Sequence, residues 1–232
     1  MPPKYWLVMP AAGKGERMGT AGSAVPKQYQ PLAGRTVIEH ALAPFLGDPN
    51  CVGLVVALAQ GDTTFASLAL AADPRVTSVT GGATRADSVR SGLDVLAAHV
   101  GAADPWVLVH DAARPCLAPT DLAALLAALA DAPDGALLGC PIADTVKRAD
   151  ERGRSVATLP RAGLWRAATP QAFPLKRLQA ALAAHPAATD EASAVEATGG
   201  RPRLIAGSPA NLKLTTPADL ELAASILAGA RS

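Results

Sequence analysis

In Tyr5-Trp6-Leu7-Val8-Met9-Pro10-Ala11-Ala12-Gly13, a short apolar run leads directly into small residues. A short, continuously apolar run with a breaker behind it is typical of a strand buried on both faces, so we predict a first β-strand at Tyr5–Met9. The run is far shorter than the roughly 20 apolar residues of a membrane-spanning helix. It is also too short for the apolar region of a signal peptide.

Apolar strands alternate with amphipathic helices along most of the chain. Leu54–Leu58 and Trp106–Val109 are continuously apolar, as expected for parallel strands that helices cover on both faces. Thr36-x-x-Glu39 is a capping box, which marks the start of a helix. This alternation predicts a three-layer α/β fold with a mostly parallel central sheet. The other predicted elements are strands at Gly53–Leu58, Arg75–Val79 and Ala136–Cys140, helices that begin near Thr84 and Thr216, and a helix over Asp121–Ala130.

Composition narrows the class of protein. The 232 residues have a mass of 23.4 kDa and are 50% apolar, which is enough for one large or two small domains with a substantial core. We predict a single domain, residues 1–232. The net charge of +1 argues against an extended nucleic-acid-binding surface. The three cysteines form no Cys-x-x-Cys pair, which favours a reducing, cytoplasmic compartment.

One stretch, residues 141–161, breaks the alternation. Thr145-Val-Lys-Arg148 and Ser155-Val-Ala-Thr158 flank the turn-forming run Ala149-Asp-Glu-Arg-Gly153. This pattern predicts a β-hairpin that projects from the main domain. A two-stranded ribbon is too small to be stable alone in water, so we expect it to be a dimerisation arm that packs on a partner surface.

The glycine-rich segment after the first strand continues as Gly13-Lys14-Gly15-Glu16-Arg17-Met18. Its small residues would let backbone N–H groups approach a phosphate, and Lys14 and Arg17 would add positive charge. Two common phosphate loops, Gly-x-Gly-x-x-Gly and Gly-x-x-x-x-Gly-Lys, both require glycine at position 18, which is methionine here. Neither motif fits, so an ordinary glycine-rich turn stays open for this segment alone.

Further segments place polar or charged residues in loops or at the ends of predicted strands. They are Pro26-Lys27-Gln28, Gly81-Gly82-x-x-Arg85-x-Asp87-Ser88, His110-Asp111-Ala112-Ala113-Arg114-Pro115, Asp144-Thr145-x-Lys147, Arg161-x-x-Leu164-Trp165, Thr169-Pro170-Gln171, Thr189-Asp190-Glu191 and Asn211-x-Lys213-x-Thr215. With the glycine-rich loop, they resemble the 2-C-methyl-D-erythritol 4-phosphate cytidylyltransferase family over about residues 5–227. The block at residues 110–115 and the Asp-Thr-x-Lys segment are the specific parts of this resemblance. An acid such as Asp111 at the carboxyl end of a strand lies where α/β sheets bind ligands.

The resemblance implies a Rossmann-like nucleotidyltransferase fold, a cytoplasmic homodimer and a role for a divalent cation such as Mg²⁺. It implies that CTP reacts with 2-C-methyl-D-erythritol 4-phosphate, releasing pyrophosphate. The catalytic residues that it implies are Arg17, Lys27 and Lys213. The nucleotide contacts are Ala11, Ala12, Gly13, Gly15, Gly82, Arg85, Ser88 and Asp111, with Asp111 also the metal ligand. The contacts to the second substrate are Asp111, Arg114, Thr145, Arg161, Thr189 and Lys213, and Thr145 and Arg161 are expected to reach the site of the neighbouring chain.

Other functions remain open on sequence grounds. A dinucleotide oxidoreductase needs an acid at the end of its second strand, about 20 residues past the glycine loop, whereas Leu54–Leu58 lies about 40 residues past the loop and is followed by Ala-Gln-Gly. A non-catalytic regulatory module does not explain why the charged residues fall at loop or strand ends. A related nucleotidyltransferase that acts on ribitol phosphate or another sugar phosphate is the nearest alternative. We expect His110 to be a packing residue rather than a base, and Glu191 to be an acid favoured in a first helical turn.

Overall fold

The computed structural model describes residues 2–13 and 25–229. The strands are β1 Tyr5–Ala11, β2 Pro31–Leu32, β3 Arg35–Thr36, β4 Cys51–Leu58, β5 Val76–Thr80, β6 Trp106–Val109, β7 Ala136–Pro141, β8 Val146–Ala149, β9 Ser155–Leu159, β10 Trp165–Pro174 and β11 Arg203–Ala206. The α-helices are α1 Val37–Leu46, α2 Arg85–Val100, α3 Pro119–Ala128, α4 Leu175–Ala184, α5 Glu191–Ala197 and α6 Pro217–Gly229.

The central sheet has seven strands in the order β11-β7-β10-β6-β1-β4-β5. Strand β1 pairs in parallel with both β4 and β6, and β4 pairs in parallel with β5. Strand β10 runs antiparallel to both of its neighbours, β6 and β7, while β11 is parallel to β7. The predicted mostly parallel α/β sheet is therefore confirmed.

Helices cover both faces of this sheet, which gives the three predicted layers. On one face, α1 and α3 bury Ile38, Phe45 and Leu125 against Leu7 and Leu54 of the sheet. On the other face, α2 and α4 form the core. Its fully buried members include Val8, Val89, Leu93, Leu96, Val107, Val109, Phe173, Leu178 and Val195. Because both faces are covered, the central strands are apolar throughout, as their sequences indicate.

Two predicted helix starts are formed as capping boxes. The Thr36 hydroxyl accepts from the backbone of Glu39, whose carboxylate accepts from the backbone of Thr36, and Thr84 and Asp87 make the same reciprocal pair at the start of α2. The helix predicted at Asp121–Ala130 begins earlier, at Pro119, because proline suits the first turn of a helix. Strand β5 is shifted by one residue from the predicted Arg75–Val79.

Three elements after the hairpin were missed by the sequence analysis: β10, α4 and β11. Strand β10 lies inside the sheet although it contains Pro170, and its register against β7 shifts between Ala167 and Gln171. Proline is tolerated inside a sheet at such irregularities because the ladder there lacks a hydrogen bond that proline cannot donate. Because Thr169-Pro170-Gln171 interrupts the apolar pattern, the sequence of β10 does not show the continuous apolar run of a buried strand.

The predicted hairpin is present as β8 and β9. Lys147 pairs with Thr158 in an antiparallel ribbon that forms a sheet of its own, separate from the seven-stranded one. Val156 on this ribbon is 59% exposed. The hairpin therefore projects from the sheet and carries apolar surface.

The order of the strands creates a crevice beside β1. From β1 the chain proceeds to β4 and β5 on one side and then returns to β6 on the other. The strand order therefore reverses at β1, and such a switch point is where open α/β sheets bind ligands. Within the described residues, no helix is both long and apolar enough to cross a membrane.

Candidate functional site

A cavity of about 1120 Å³ opens at the carboxyl ends of β1, β4, β5 and β6. The loops after these strands form its walls, together with two segments from elsewhere in the chain. Its lining includes Pro10, Ala11, Ala12, Gly13, Lys27, Gln28, Ala59, Gln60, Gly81, Gly82, Ala83, Thr84, Arg85, Ser88, Asp111, Ala112, Ala113, Lys213 and Thr215. Many of the residues predicted for the site therefore surround one cavity.

The wall formed by the loop after β5 is packed closely enough to require glycine. A Cβ atom on Gly81 would lie 2.7 Å from Ser88 Oγ and 2.8 Å from Ala12 Cβ. Ser88 is buried, and its hydroxyl accepts from Gly82 N at 3.2 Å and donates to the Thr84 carbonyl at 3.0 Å. The Ser88 hydroxyl thus fixes the loop through hydrogen bonds to its backbone, and Gly81 and Gly82 line the cavity.

Two predicted catalytic lysines, Lys27 and Lys213, meet at the cavity. Lys213 Nζ lies 2.8 Å from Asp111 Oδ2. Lys27 Nζ donates at 3.3 Å to the carbonyl of Leu214, and Leu214 N donates at 2.8 Å to the Ala113 carbonyl. Residues 27, 213 and 111, which are far apart in sequence, therefore line one cavity, where Lys213 contacts Asp111 directly and Lys27 contacts the backbone next to Lys213.

Asp111 is a carboxylate among cations. Its Oδ1 accepts from Arg85 Nε at 2.8 Å, and its Oδ2 is held by Lys213. Burial alone would raise the pKa of Asp111, but the charges of Arg85 and Lys213 outweigh burial and hold this pKa well below its usual range. Asp111 is therefore an anion at neutral pH.

Arg85 joins Asp111 to Glu191, a residue that the sequence analysis did not assign to the site. Arg85 Nη1 and Nη2 donate to the two carboxylate oxygens of Glu191 at 2.7 and 3.0 Å. The Glu191 side chain is 1% exposed, so it is a buried charge rather than a solvated first-turn acid. One feature of the sequence could have pointed to Glu191. Asp190 caps α5, so the acid that follows it is not needed as the cap.

His110 is the packing residue that we expected. It is completely buried and contacts the Phe45 ring at a centroid distance of 5.1 Å. Its Nε2 donates to the Arg114 carbonyl at 3.1 Å, so Nδ1 is the acceptor and receives the Thr169 hydroxyl at 3.0 Å. Burial lowers the pKa of His110 to about 4, and the ring is therefore neutral at pH 7. Both nitrogens are occupied, so His110 is not available as a base.

Arg114 anchors the segment that carries Lys213. Its Nη1 donates at 2.8 Å to the carbonyl of Asn211, whose amide donates at 2.8 Å to the Thr169 carbonyl. Arg114 Nε lies 3.7 Å from Asp111 Oδ2. The predicted substrate-binding arginine thus borders Asp111 and ties two loops together.

Three predicted substrate contacts lie away from the cavity. Thr145 and Arg161 are exposed on and beside the hairpin, where Arg161 donates to the Ala143 carbonyl. Thr189 is exposed ahead of α5 and lies 3.4 Å from Ser193 through their hydroxyl oxygens. Two further predicted residues, Gly15 and Arg17, lie outside the described residues.

A protein-built metal cluster is not found in the described parts of the chain, residues 2–13 and 25–229. No group of three or more His, Cys, Asp or Glu side chains there is arranged to hold a metal ion. The carboxylate among the cavity-lining residues is Asp111. Of the described cavity-lining residues, Asp111 is therefore the one that could offer a carboxylate to a cation.

Comparisons with known proteins agree with this geometry. The family model for IspD, 2-C-methyl-D-erythritol 4-phosphate cytidylyltransferase, matches residues 5–229. A relative of that name from Ectopseudomonas mendocina (strain ymp) is 51% identical over 224 residues, which is 95% of this chain and 94% of the relative. Another, from Acidithiobacillus ferrooxidans (strain ATCC 53993 / BNL-5-31), is 51% identical over 97% of both chains.

Solved structures extend the comparison to three dimensions. A crystal structure of 4-diphosphocytidyl-2C-methyl-D-erythritol synthase superposes with a TM-score of 0.84 at 40% identity, covering 97% of this chain and 99% of the other. The 2-C-methyl-D-erythritol 4-phosphate cytidylyltransferase of Francisella tularensis superposes with a TM-score of 0.81 at 31% identity, covering 96% and 99%. The similarity therefore spans nearly the whole chain in both sequence and fold.

Proposed function

Because this chain belongs to the 2-C-methyl-D-erythritol 4-phosphate cytidylyltransferase family, we propose that the cavity beside β1 is where its two substrates react. The enzyme is a nucleotidyltransferase that joins CTP and 2-C-methyl-D-erythritol 4-phosphate to give 4-diphosphocytidyl-2-C-methyl-D-erythritol and pyrophosphate, a step of isoprenoid biosynthesis. The observation that carries the site assignment is the meeting of Lys27, Lys213 and Asp111 at one cavity.

The reaction is an in-line displacement at phosphorus. A phosphate oxygen of methylerythritol phosphate forms a bond to the α-phosphorus of CTP, and the bond from this phosphorus to the bridging oxygen of the β-phosphate breaks, so that pyrophosphate leaves with the electron pair. The nucleophile is already an anion, and no general base is needed. This agrees with the neutral, fully hydrogen-bonded state of His110.

The protein supplies positive charge and alignment. Lys27 and Arg17 stabilise the charge that develops on the α-phosphate and on the departing pyrophosphate, while Lys213 faces both the α-phosphate and the attacking phosphate. Fixed cations act strongly here because they need no reorganisation as the charge builds up. The support for Lys27 and Lys213 is their mutual placement through Leu214 and Asp111.

The nucleotide lies against backbone rather than against long side chains. Ala11, Ala12, Gly13 and Gly82 present small residues at the cavity, where N–H groups can approach phosphate and base. Gly15, which the family resemblance also implies as a nucleotide contact, lies outside the described residues. Ser88 and Arg85 support this surface through their contacts with other residues. Ser88 accepts a hydrogen bond from Gly82, and Arg85 donates to Asp111 and Glu191.

A divalent cation such as Mg²⁺ fits this arrangement as a phosphate-bound ion. Mg²⁺ in phosphate-transfer sites takes one or two protein carboxylates and completes its shell with substrate phosphates and water. Asp111 is anionic, lines the cavity, and has lone pairs beyond those that accept from Arg85 and Lys213. When bound, the ion would neutralise phosphate charge and orient the triphosphate.

The second substrate is bound partly by a neighbouring chain. Asp111 and Arg114 border the cavity, whereas Thr145 and Arg161 lie on the projecting hairpin and Thr189 lies ahead of α5. A closed two-fold homodimer brings the hairpin of each chain to the cavity of the other. The apolar exposure of Val156 and Leu164, 59% and 38%, supports a partner surface at this hairpin.

We also propose a reducing, cytoplasmic location. The cysteines Cys51, Cys116 and Cys140 are free thiols, two of them buried. Structural disulfides are the usual use of cysteine in oxidising compartments. Unpaired thiols therefore support a reducing one.

A pyrophosphate-release assay tests the function. Four nucleoside triphosphates are each paired with methylerythritol phosphate, ribitol phosphate and other sugar phosphates. We expect rapid release with CTP and methylerythritol phosphate together and with no other pair. Preference for ribitol phosphate, or for another nucleotide, would contradict the assignment.

A further inference from the structure

Four charged side chains form a continuous chain from the protein interior to the cavity. Glu191 receives two hydrogen bonds from Arg85, at 2.7 and 3.0 Å. Arg85 Nε donates at 2.8 Å to Asp111 Oδ1, and Lys213 Nζ lies 2.8 Å from Asp111 Oδ2. The chain ends on an amine that lines the cavity, whereas it begins at a residue outside the cavity lining.

Glu191 is the most deeply buried member of this chain. Its side chain is 1% exposed, against 8% for Asp111 and 28% for Arg85. Burial raises the pKa of Glu191, and the Arg85 charge opposes this effect. Burying a carboxylate is costly, and a buried ion pair often adds little to stability compared with apolar packing. Stability alone is therefore a weak reason for a glutamate at this position.

Glu191 determines how Arg85 meets Asp111. A guanidinium is a rigid plane with five N–H donors, and its preferred partner is a carboxylate bound by two parallel hydrogen bonds. Glu191 forms this bidentate contact with Nη1 and Nη2 of Arg85. Arg85 is then left with one hydrogen bond to Asp111, which its Nε donates. Asp111 Oδ2 therefore remains available to Lys213.

Without the Glu191 charge, Arg85 has one carboxylate partner instead of two. The bidentate contact then forms with Asp111 and occupies Oδ2, the oxygen that now holds Lys213. Lys213 loses its fixed position at the cavity. We propose that Glu191 is a positioning residue that directs the Lys213 amine through Arg85 and Asp111, an inference that rests on the proposed role of Lys213 in the transfer.

A double-mutant cycle tests this inference. Glu191→Gln keeps the size of the side chain and removes its charge, and Lys213→Gln removes the amine. We expect Glu191→Gln to lower kcat about tenfold in the otherwise unaltered enzyme, with KM for CTP changed much less, because coupled residues of one ion-pair network interact by about this amount. In the Lys213→Gln background, we expect Glu191→Gln to lower kcat less than about twofold.

The matched control is Asp190→Asn, which removes the neighbouring charge but keeps a residue able to cap α5. It should leave kcat unchanged in both backgrounds. If Glu191→Gln does not fold, Glu191→Asp, which keeps the charge but shortens its reach, goes through the same cycle. Equal losses with and without Lys213 would overturn the inference, because a purely structural residue costs the same in both. Failure of the proposed Lys213 role is distinguishable, because it appears as normal turnover of the Lys213→Gln single variant.

Discussion

At the scale of single residues, the proposed transfer depends on lysines that direct contacts hold at the cavity. Lys27 is tied to the Leu214 carbonyl and Lys213 to the Asp111 carboxylate. Neither lysine belongs to the apolar core, and their contribution to the free energy of unfolding is small compared with their effect on a developing phosphate charge.

Replacing Lys27 by alanine should therefore reduce catalysis without unfolding the enzyme. We expect kcat to fall about 10²–10³-fold, the usual effect of removing one preorganised group at a developing anion. KM for CTP should change far less. The matched control is Lys176→Ala, since Lys176 also donates to a backbone carbonyl but lies on α4, away from the cavity. Steady-state kinetics and a melting curve decide the matter, and a Lys27→Ala turnover within a few-fold of the unaltered enzyme would exclude the catalytic role.

The Asp111 carboxylate should govern the dependence on metal. Asp111→Asn keeps the shape and one oxygen but loses the charge that attracts Mg²⁺, so we expect a weaker apparent affinity for Mg²⁺ or a loss of turnover. Asp94→Asn, an exposed change on α2, is the control. The measurement is a Mg²⁺ titration of pyrophosphate release. An unchanged Mg²⁺ affinity with normal turnover in Asp111→Asn would rule out metal binding by this residue.

Burial of His110 should make the fold sensitive to mild acid. The pKa of His110 is about 4, whereas an unfolded histidine titrates near 6.5. Between these values the unfolded chain binds a proton that the folded chain does not, so the free energy of unfolding falls as pH falls. The contribution of this residue reaches about 1.4 kcal/mol per pH unit and about 3 kcal/mol in total.

Urea unfolding between pH 7 and pH 4.5 measures this effect. His110→Asn should flatten the pH dependence by up to one proton, although its absolute stability is also lower because the packing changes. Leu182→Ala, a buried change on α4 that removes no titratable group, should lower the free energy of unfolding but keep the slope of the unaltered protein. An identical slope for His110→Asn and the unaltered protein would mean that His110 titrates normally. Asp111 affects a different range, below about pH 4, because its pKa is held low and its stabilising contribution is lost only there.

At the scale of elements, the loop between β5 and α2 shapes the proposed nucleotide site by close packing. A Cβ on Gly81 would press on Ser88 Oγ and Ala12 Cβ. We expect Gly81→Ala to lower the free energy of unfolding by about 1–3 kcal/mol, as overpacking usually does, and to raise KM for CTP more than it lowers kcat. Gly229→Ala, where no atom lies within 4 Å of the new Cβ, is the control. An unchanged KM for CTP in Gly81→Ala would separate this loop from the nucleotide.

Some elements of the fold can be predicted from the sequence, and others cannot. Strands such as Trp106–Val109, the capping box at Thr36 and the helix start near Thr84 were predictable because their signals are local. Strand β10 was not, because its neighbours β6 and β7 are distant in sequence and Thr169–Gln171 interrupts its apolar pattern. Glu191 resembles a first-turn acid until the structure brings it to Arg85, 106 residues away. Long-range pairing of charges leaves no periodic trace in a single sequence.

At the scale of the whole molecule, the chain forms one cavity beside β1 and exposes a separate hairpin. The cavity gathers the residues around Lys27, Lys213 and Asp111, while Arg161 remains with the hairpin. The two-stranded ribbon has its own sheet and exposed apolar groups such as Val156. Since an isolated ribbon is marginally stable, a second copy of the chain is the expected partner. We therefore expect cytidylyl transfer to occur in this cavity and the hairpin of a partner chain to complete the site.

Subunit complementation tests whether the active site is shared between two chains. Lys27→Ala and Arg161→Ala homodimers, each inactive, are mixed, allowed to exchange subunits and assayed for pyrophosphate release. In a heterodimer one site receives both defects and the other receives none, so activity should recover to about half of the unaltered value per heterodimer. Mixing Lys27→Ala with Lys213→Ala is the control, because both defects lie in the cavity and no intact site can form. No recovery from the first mixture, with exchange demonstrated, would contradict a site shared between two chains.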